Sequence, residues 1–173
     1  LLKEKKLIDK AETIKTFSKP GHVHYEKAAR LKRKLIENAY EQFKKHHDKR
    51  MNDQFHDYCQ QEKYWLDDFA VFMTLKKNFN QAEWQTWPAE LRDRHHDALK
   101  HIHKENADAI ELEKFGQFLF HEQWMALKNH CHDHGVDILG DIPIYISHDS
   151  ADVWSHPEYF KLKENKEMAK VAG

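Results

Sequence analysis

Glycine and proline are scarce, five and four residues in a chain of 173. So few breakers exclude a turn-rich β architecture and favour long helices. A surplus of one charge sign is missing too: 28 Lys and Arg face 29 Asp and Glu, for a formal net charge of −1. Nucleic-acid binding driven by counterion release needs a basic surplus or stripe, so that partner class is excluded. No apolar run approaches the roughly 18 residues of a membrane span. With a mean hydropathy of −0.93, a soluble chain without a membrane partner is expected. The two cysteines, Cys59 and Cys131, have no metal-motif spacing and read as reduced thiols of a cytoplasmic protein.

What is present argues against disorder. Five Trp, six Tyr and ten Phe each offer roughly 150–250 Å² to a core. Four of the five glycines (Gly116, Gly135, Gly140 and Gly173) and two of the four prolines (Pro143 and Pro157) fall in the last third. That shift predicts a helical part over residues 1–110 and a mixed part over 111–173. The opening residue is Leu1, not Met, and Lys170-Val171-Ala172-Gly173 closes no element, so a piece of a longer polypeptide is expected.

Ser18-Lys19-Pro20-Gly21 reads as a turn. After it Tyr25, Ala28, Leu31, Leu35, Ala39 and Phe43 recur at helical spacing, followed by a stripe of Phe55, Tyr58 and Cys59 ending near Gln61. Trp65, Phe69, Phe72, Met73 and Lys76 outline a helix over 66–77, its aromatics expected in the core. Trp84 and Trp87 punctuate a connection, as core or as surface anchors, and Pro88 starts a helix carrying Leu91, Ala98 and Ile102. A further helix is predicted from about Glu111 to His134, with Phe115, Phe118, Leu119, Trp124, Leu127 and Cys131 on its apolar face and Gly135 as its left-handed cap. There Cys131 is an inert core thiol.

The period then changes. Val136, Ile138, Ile142, Ile144 and Ile146 alternate with Asp137, Leu139, Asp141, Pro143 and Tyr145, which predicts a strand over 136–146. Its N–H and C=O groups need neighbours that the rest of the chain does not offer, so self-association through this row, or disorder after Tyr145, is expected.

Chemistry concentrates at the end of that segment. Asp141, Asp149 and Asp152 gather with Tyr145, Ser147, His148, Ser150 and Trp154. Carboxylates accept from sugar hydroxyls and aromatic faces stack on pyranose rings, so the cluster reads as the furnishing of a sugar site past a buried strand. Equally, Asp149 and Asp152 read as caps of the next helix. The histidines are weaker: His130 and His134 share a helical face with His132 nearby, but no His-Glu-x-x-His or Cys-x-x-Cys occurs. The doublets His46-His47 and His95-His96 lie in basic surface stretches. There is no Gly-x-Ser-x-Gly elbow and no Gly-rich phosphate loop.

Gly140-Asp141-Ile142-Pro143-Ile144-Tyr145-Ile146, then Asp149-Ser150-Ala151-Asp152-Val153-Trp154 and Pro157-Glu158-Tyr159-Phe160, resemble the signature of the amylomaltases, the 4-α-glucanotransferases of glycoside hydrolase family 77. Lys114-Phe115, Gln117-Phe118, Phe120 and Gln123-Trp124 resemble the same family, as do Trp65–Phe72 and Trp84–Pro88. The likeness is specific from Lys114 onward and looser before Tyr64. It implies a mainly α fragment: a helical subdomain inserted in a (β/α)₈ TIM barrel (residues 1–110), then a barrel helix, the third barrel strand and its loop (residues 111–173). The family transfers segments of α-1,4-glucan between maltodextrins by a retaining mechanism, with no cofactor or metal.

By the same resemblance Asp141 holds the position of an acid that supports the catalytic centre by hydrogen bonds. Tyr145, Asp149, Ser150 and Trp154 stand with it as active-site-supporting or substrate-binding candidates. No position matches the family's nucleophile, its general acid/base or its transition-state-stabilising Asp, so these residues alone are expected to be inactive. The rival readings are a self-contained helical interaction module and a metal-binding protein using His130, His132 and His134.

Overall fold

A computed structural model describes residue 7, residues 24–46 and residues 48–170. The turn expected at Ser18–Gly21 lies outside the described residues, as does His47. Among the described residues seven α-helices follow in order: α1 (Tyr25–His46), α2 (Lys49–Gln61), α3 (Lys63–Asn78), α4 (Ala89–Arg92), α5 (His96–Glu105), α6 (Ala107–Asp133) and α7 (Ala151–Ser155). Short 3₁₀ turns occupy Trp84–Thr86 and Pro157–Tyr159. The chain divides into two compact units, Leu1–Asp57 and Tyr58–Gly173.

In the first unit the expected stripe closes at its C-terminal end, where Ala39, Tyr40 and Phe43 are buried. Phe55 meets Phe43 edge-on at 5.5 Å between ring centroids. Asp48 starts α2 by accepting from the Met51 N–H at 3.2 Å, which satisfies one of the donors a helix start leaves open.

The second unit is built around α3, which packs on both α6 and α7. Its sequence is apolar over most of its circumference, and Leu66, Ala70, Val71, Phe72 and Leu75 are all buried. Thr74, also buried, returns its hydroxyl to the Ala70 carbonyl at 2.8 Å. Of the aromatics expected in the core from α3, Phe72 is buried, while Trp65 and Phe69 are half-buried. On α6, Phe115, Phe118 and Leu119 are buried, and Lys114 pairs with Asp67 of α3.

Trp84 and Trp87 are core residues, not surface anchors: both are buried, Trp84 to 1% exposure. Trp87 lies 5.5 Å from Phe72, 5.6 Å from Phe79 and 5.8 Å from Trp154. An aromatic cluster of this kind joins elements far apart in sequence and gains from edge and offset contacts as well as from burial.

The helix expected after Pro88 is broken in two. Leu91 belongs to α4, whereas Ala98 and Ile102 belong to α5, and between them Arg94 takes φ 57°. The reversal has a tertiary cause. Arg94 lies over the Trp154 ring at 4.3 Å and bonds Asp68 at 2.6 Å. These contacts outweigh the cost, roughly 1–2 kcal/mol, of left-handed backbone at a non-glycine residue.

At the far end, α6 starts at Ala107, earlier than expected, and closes as predicted on Gly135 at φ +71°. The Gly135 N–H donates to His132 O and the Val136 N–H to Cys131 O, both at 2.9 Å, the paired bonds of a Schellman motif. The apolar face of α6 is covered only over its first half: Phe120, Trp124 and Leu127 are exposed.

The strand expected over 136–146 is not formed. Among the described residues there is no strand, only one isolated antiparallel bridge, Leu162 to Met168. Val136–Ile146 has neither helix nor ladder and lies exposed, Leu139 to 94%. A strand exists by pairing, and no other described segment runs beside it to accept its N–H groups. Disorder after Tyr145 is corrected as well, because Val153 and Trp154 are buried in the core of the second unit. No described helix is long and apolar enough to cross a membrane.

Both cysteines are free and half-buried, and burial raises the Cys59 thiol above its ordinary pKa. The Tyr58 ring lies 5.7 Å from Phe118 and 5.0 Å from His121. Burial first, then the neighbouring Glu62, pushes its phenol up from 10.0 to about 12. Folded Tyr58 therefore keeps its proton where an unfolded tyrosine has lost it, and its contribution to stability, complete below pH 10, is lost as pH rises through about 12. Tyr58→Phe is expected to flatten the alkaline fall of the urea midpoint over that interval. A fall as steep in Tyr58→Phe as in the unaltered chain would remove Tyr58 as its cause.

Candidate functional site

Among the described residues the acid-bearing segment is unpaired along its length, and it is fixed at both ends. At its start the Gly135 cap sets the direction in which the chain leaves α6. At its end the fixed point is Asp149. Its Oδ2 accepts from Lys76 Nζ at 2.6 Å and its Oδ1 from the Trp84 N–H at 3.3 Å. Lys76 sits on the inward face of α3 with its side chain 9% exposed, and spends its other donors on Gln81 O and Ala82 O, each at 2.9 Å. Those carbonyls are presented by a turn in which Asn80 and Gln81 take φ 51° and 65°.

A lysine so enclosed is tolerable because all three of its protons are placed on oxygen. The same junction holds His148. Its carbonyl accepts from Trp84 Nε1 at 2.7 Å, and its own Nε2–H donates to Lys166 O at 2.8 Å.

Ser150 is the N-cap of α7, accepting from the Val153 N–H at 3.3 Å, with Asp152 in the first turn, where negative charge complements the helix dipole. Trp154 is buried to 1% exposure, donates from Nε1 to Leu91 O at 3.0 Å and carries Arg94 over its ring. Of the five candidates, Asp149, Ser150 and Trp154 thus meet at the junction of α3, α4 and α7, each with a defined partner. Asp141 and Tyr145 lie out on the uncovered segment. Asp141 Oδ1 accepts from the adjacent Ile142 N–H at 2.8 Å, and Tyr145 is 74% exposed.

The histidine alternative finds no support in geometry. The His130 and His134 rings lie 4.3 Å apart between centroids, tilted by 41°, and His134 Nδ1 meets His130 O at 2.7 Å. Among the described residues no three His, Cys, Asp or Glu side chains converge as a metal site would require. Sequence reasoning missed the roles of Lys76, Trp84 and Arg94. A signal existed for Lys76, a lysine in phase with Phe69, Phe72 and Met73 on an apolar helix face. None existed for Arg94.

Comparison with known proteins matches residues 1–171 to a family model described as 4-alpha-glucanotransferase. The chain is 36% identical over 176 residues to the 4-alpha-glucanotransferase of Clostridium butyricum, covering 100% of this chain and 35% of that protein. It is 36% identical over 153 residues to that of Thermus thermophilus, covering 88% of this chain and 31% of the relative. Among solved structures it superposes on the amylomaltase from Streptococcus agalactiae in complex with acarbose, with TM-score 0.87 and 33% identity over 95% of this chain and 33% of the other. The chain thus spans about a third of the length of the curated relatives it matches.

Removing one partner of the Lys76–Asp149 pair strands a largely enclosed charge. Lys76→Met and Asp149→Leu are each expected to cost roughly 3 kcal/mol, with the double substitution recovering part of the loss. Urea unfolding of the three variants tests this; additive losses in the double variant would show that the two side chains do not act on one another.

Proposed function

This chain belongs to the 4-alpha-glucanotransferase family, and from that we propose that it is part of an enzyme that moves segments of α-1,4-glucan from one maltodextrin to another. In this reading the parent fold is a (β/α)₈ barrel in the cytoplasm, residues 1–110 are a helical subdomain inserted in it, and residues 111–173 supply a barrel helix, the third strand and the loop beyond. The observation that carries the reading is the state of the 136–146 segment. It has the alternating pattern of a strand, an aliphatic row and an acid, yet lies uncovered while both of its ends are fixed. Barrel neighbours from the remaining two-thirds of a relative's length would pair its backbone and cover Ile138, Ile142 and Ile144.

Retention of configuration requires two carboxyl groups roughly 5–5.5 Å apart across the scissile bond, one as nucleophile and one as acid/base. Neither matches a position here, so the chemistry belongs to strands outside these residues. Within the chain, Asp141 at the strand end accepts hydrogen bonds from substrate hydroxyls and adds negative charge near the sugar that becomes cationic in the transition state. Tyr145 offers a ring face beside it. Asp149, Ser150 and Trp154 act one step back. The ion pair, the cap and the buried indole hold the loop so that the segment before it arrives at a fixed height. No cofactor enters the mechanism.

The test is maltotriose disproportionation by the product of the complete reading frame. Glucose and longer maltodextrins are expected from it and none from the 173-residue chain alone. Asp141→Asn in the complete product is expected to lower kcat about 100-fold. Hydrolysis without chain lengthening, or full activity in Asp141→Asn, would overturn the reaction or the role of Asp141 respectively.

A further inference from the structure

Within the second unit, α7 and the first turns of α3 enclose a cleft of about 260 Å³. Tyr64, Trp65 and Phe69 line it from α3 along with Asp68, and Asp152 and Ser155 line it from α7. The core does not account for these residues. Tyr64 is 78% exposed, whereas Phe72, Trp84, Trp87 and Trp154 of the same unit are buried.

Two of the rings, Trp65 and Phe69, are held in place. Glu62 accepts from Trp65 Nε1 at 2.6 Å, which fixes the indole, and Phe69 meets it edge-on at 5.7 Å. Two carboxylates converge on the same space. Asp68 is anchored through one oxygen by Arg94 Nη2 at 2.6 Å, leaving the second oxygen without a bond among the described residues. Asp152 makes no side-chain hydrogen bond among the described residues and stands exposed in the first turn of α7.

Fixed aromatic faces beside carboxylate acceptors suit a ligand with an apolar face and a rim of hydroxyl donors, which is the chemistry of a pyranose ring. A simple cation fits less well, because Arg94 already balances one of the two acids. The volume is below the roughly 300–1,000 Å³ of sites that engulf a drug-sized molecule, so the cleft takes a ring or two of a chain that continues into solvent. The geometry points to an α-glucan-binding cleft at Tyr64, Trp65, Asp68 and Asp152, an assignment that rests on the reading above only for the linkage of the sugar.

The experiment follows the amide and indole resonances of the 173-residue chain during titration with maltoheptaose, with cellotetraose and, separately, with tetramethylammonium. Maltoheptaose is expected to shift the Trp65 indole and the Asp152 and Ser155 amides with a Kd on the order of 1 mM, and Tyr64→Ala or Asp152→Asn to weaken it about tenfold. Both substituted side chains are exposed, so the rest of the spectrum should not move. No shift with maltoheptaose, shifts confined to residues 136–146, or saturation by the cation alone would overturn the cleft, and equal binding of cellotetraose would overturn its α-glucan preference. A silent cleft beside a complete product that disproportionates maltotriose condemns the cleft alone. Maltoheptaose held at the cleft beside a product without transfer leaves the cleft standing and removes the function proposed above.

Discussion

A single ammonium group organises the second unit. Lys76 comes off an apolar helix face and reaches three oxygens: two carbonyls of the turn that ends its own helix, and the carboxylate of a residue far along the chain. Asp149, so held, turns its other oxygen to the backbone of Trp84, and Trp84 in turn binds the carbonyl of His148. The turn after α3, the 3₁₀ turn at Trp84–Thr86 and the entry to α7 are therefore fixed to one another by polar bonds in a partly dry setting, where a bond left open costs more than a bond made gains. The aromatic cluster of Phe72, Trp87 and Trp154 packs beside this hub. Burial supplies most of the cohesion, and the hub decides which surfaces are buried together.

The helices were legible because their information is local. Apolar residues at helical spacing placed α1, α2, α3 and α6, and Gly135 marked the end of α6, since its left-handed φ and its two capping bonds depend only on the adjacent turn. What was not legible depends on residues distant in sequence. Nothing near Arg94 announces that its backbone reverses; the cause lies on Trp154 and Asp68. The burial of Trp84 and Trp87 likewise depends on partners along α3 and α7. The 136–146 segment shows the limit most plainly. Its alternation is that of a strand, but a ladder needs a second backbone, and none lies alongside among the described residues.

The candidate site was legible to a similar depth. The cluster from Asp141 to Trp154 was visible from composition, and the family from the order of its residues. The division of labour within it was not. Asp149 and Asp152 were equally readable as sugar contacts or as caps, and Trp154 as a stacking platform. In the fold Asp149 has an ion pair, Ser150 a capping bond and Trp154 an enclosed indole, while Asp141 and Tyr145 remain on the open stretch.

The paired fixation of that open stretch has a consequence for how it can be joined by other strands. Side chains on a β-segment alternate between two faces, so sliding by one position would exchange the isoleucine row for the row that carries Asp141 and Tyr145. Sliding requires a free end, and here there is none: one terminus leaves a capped helix and the other is held by a buried lysine. Register is thus set before any partner arrives, and whichever backbone comes to lie alongside must adopt the phase it finds.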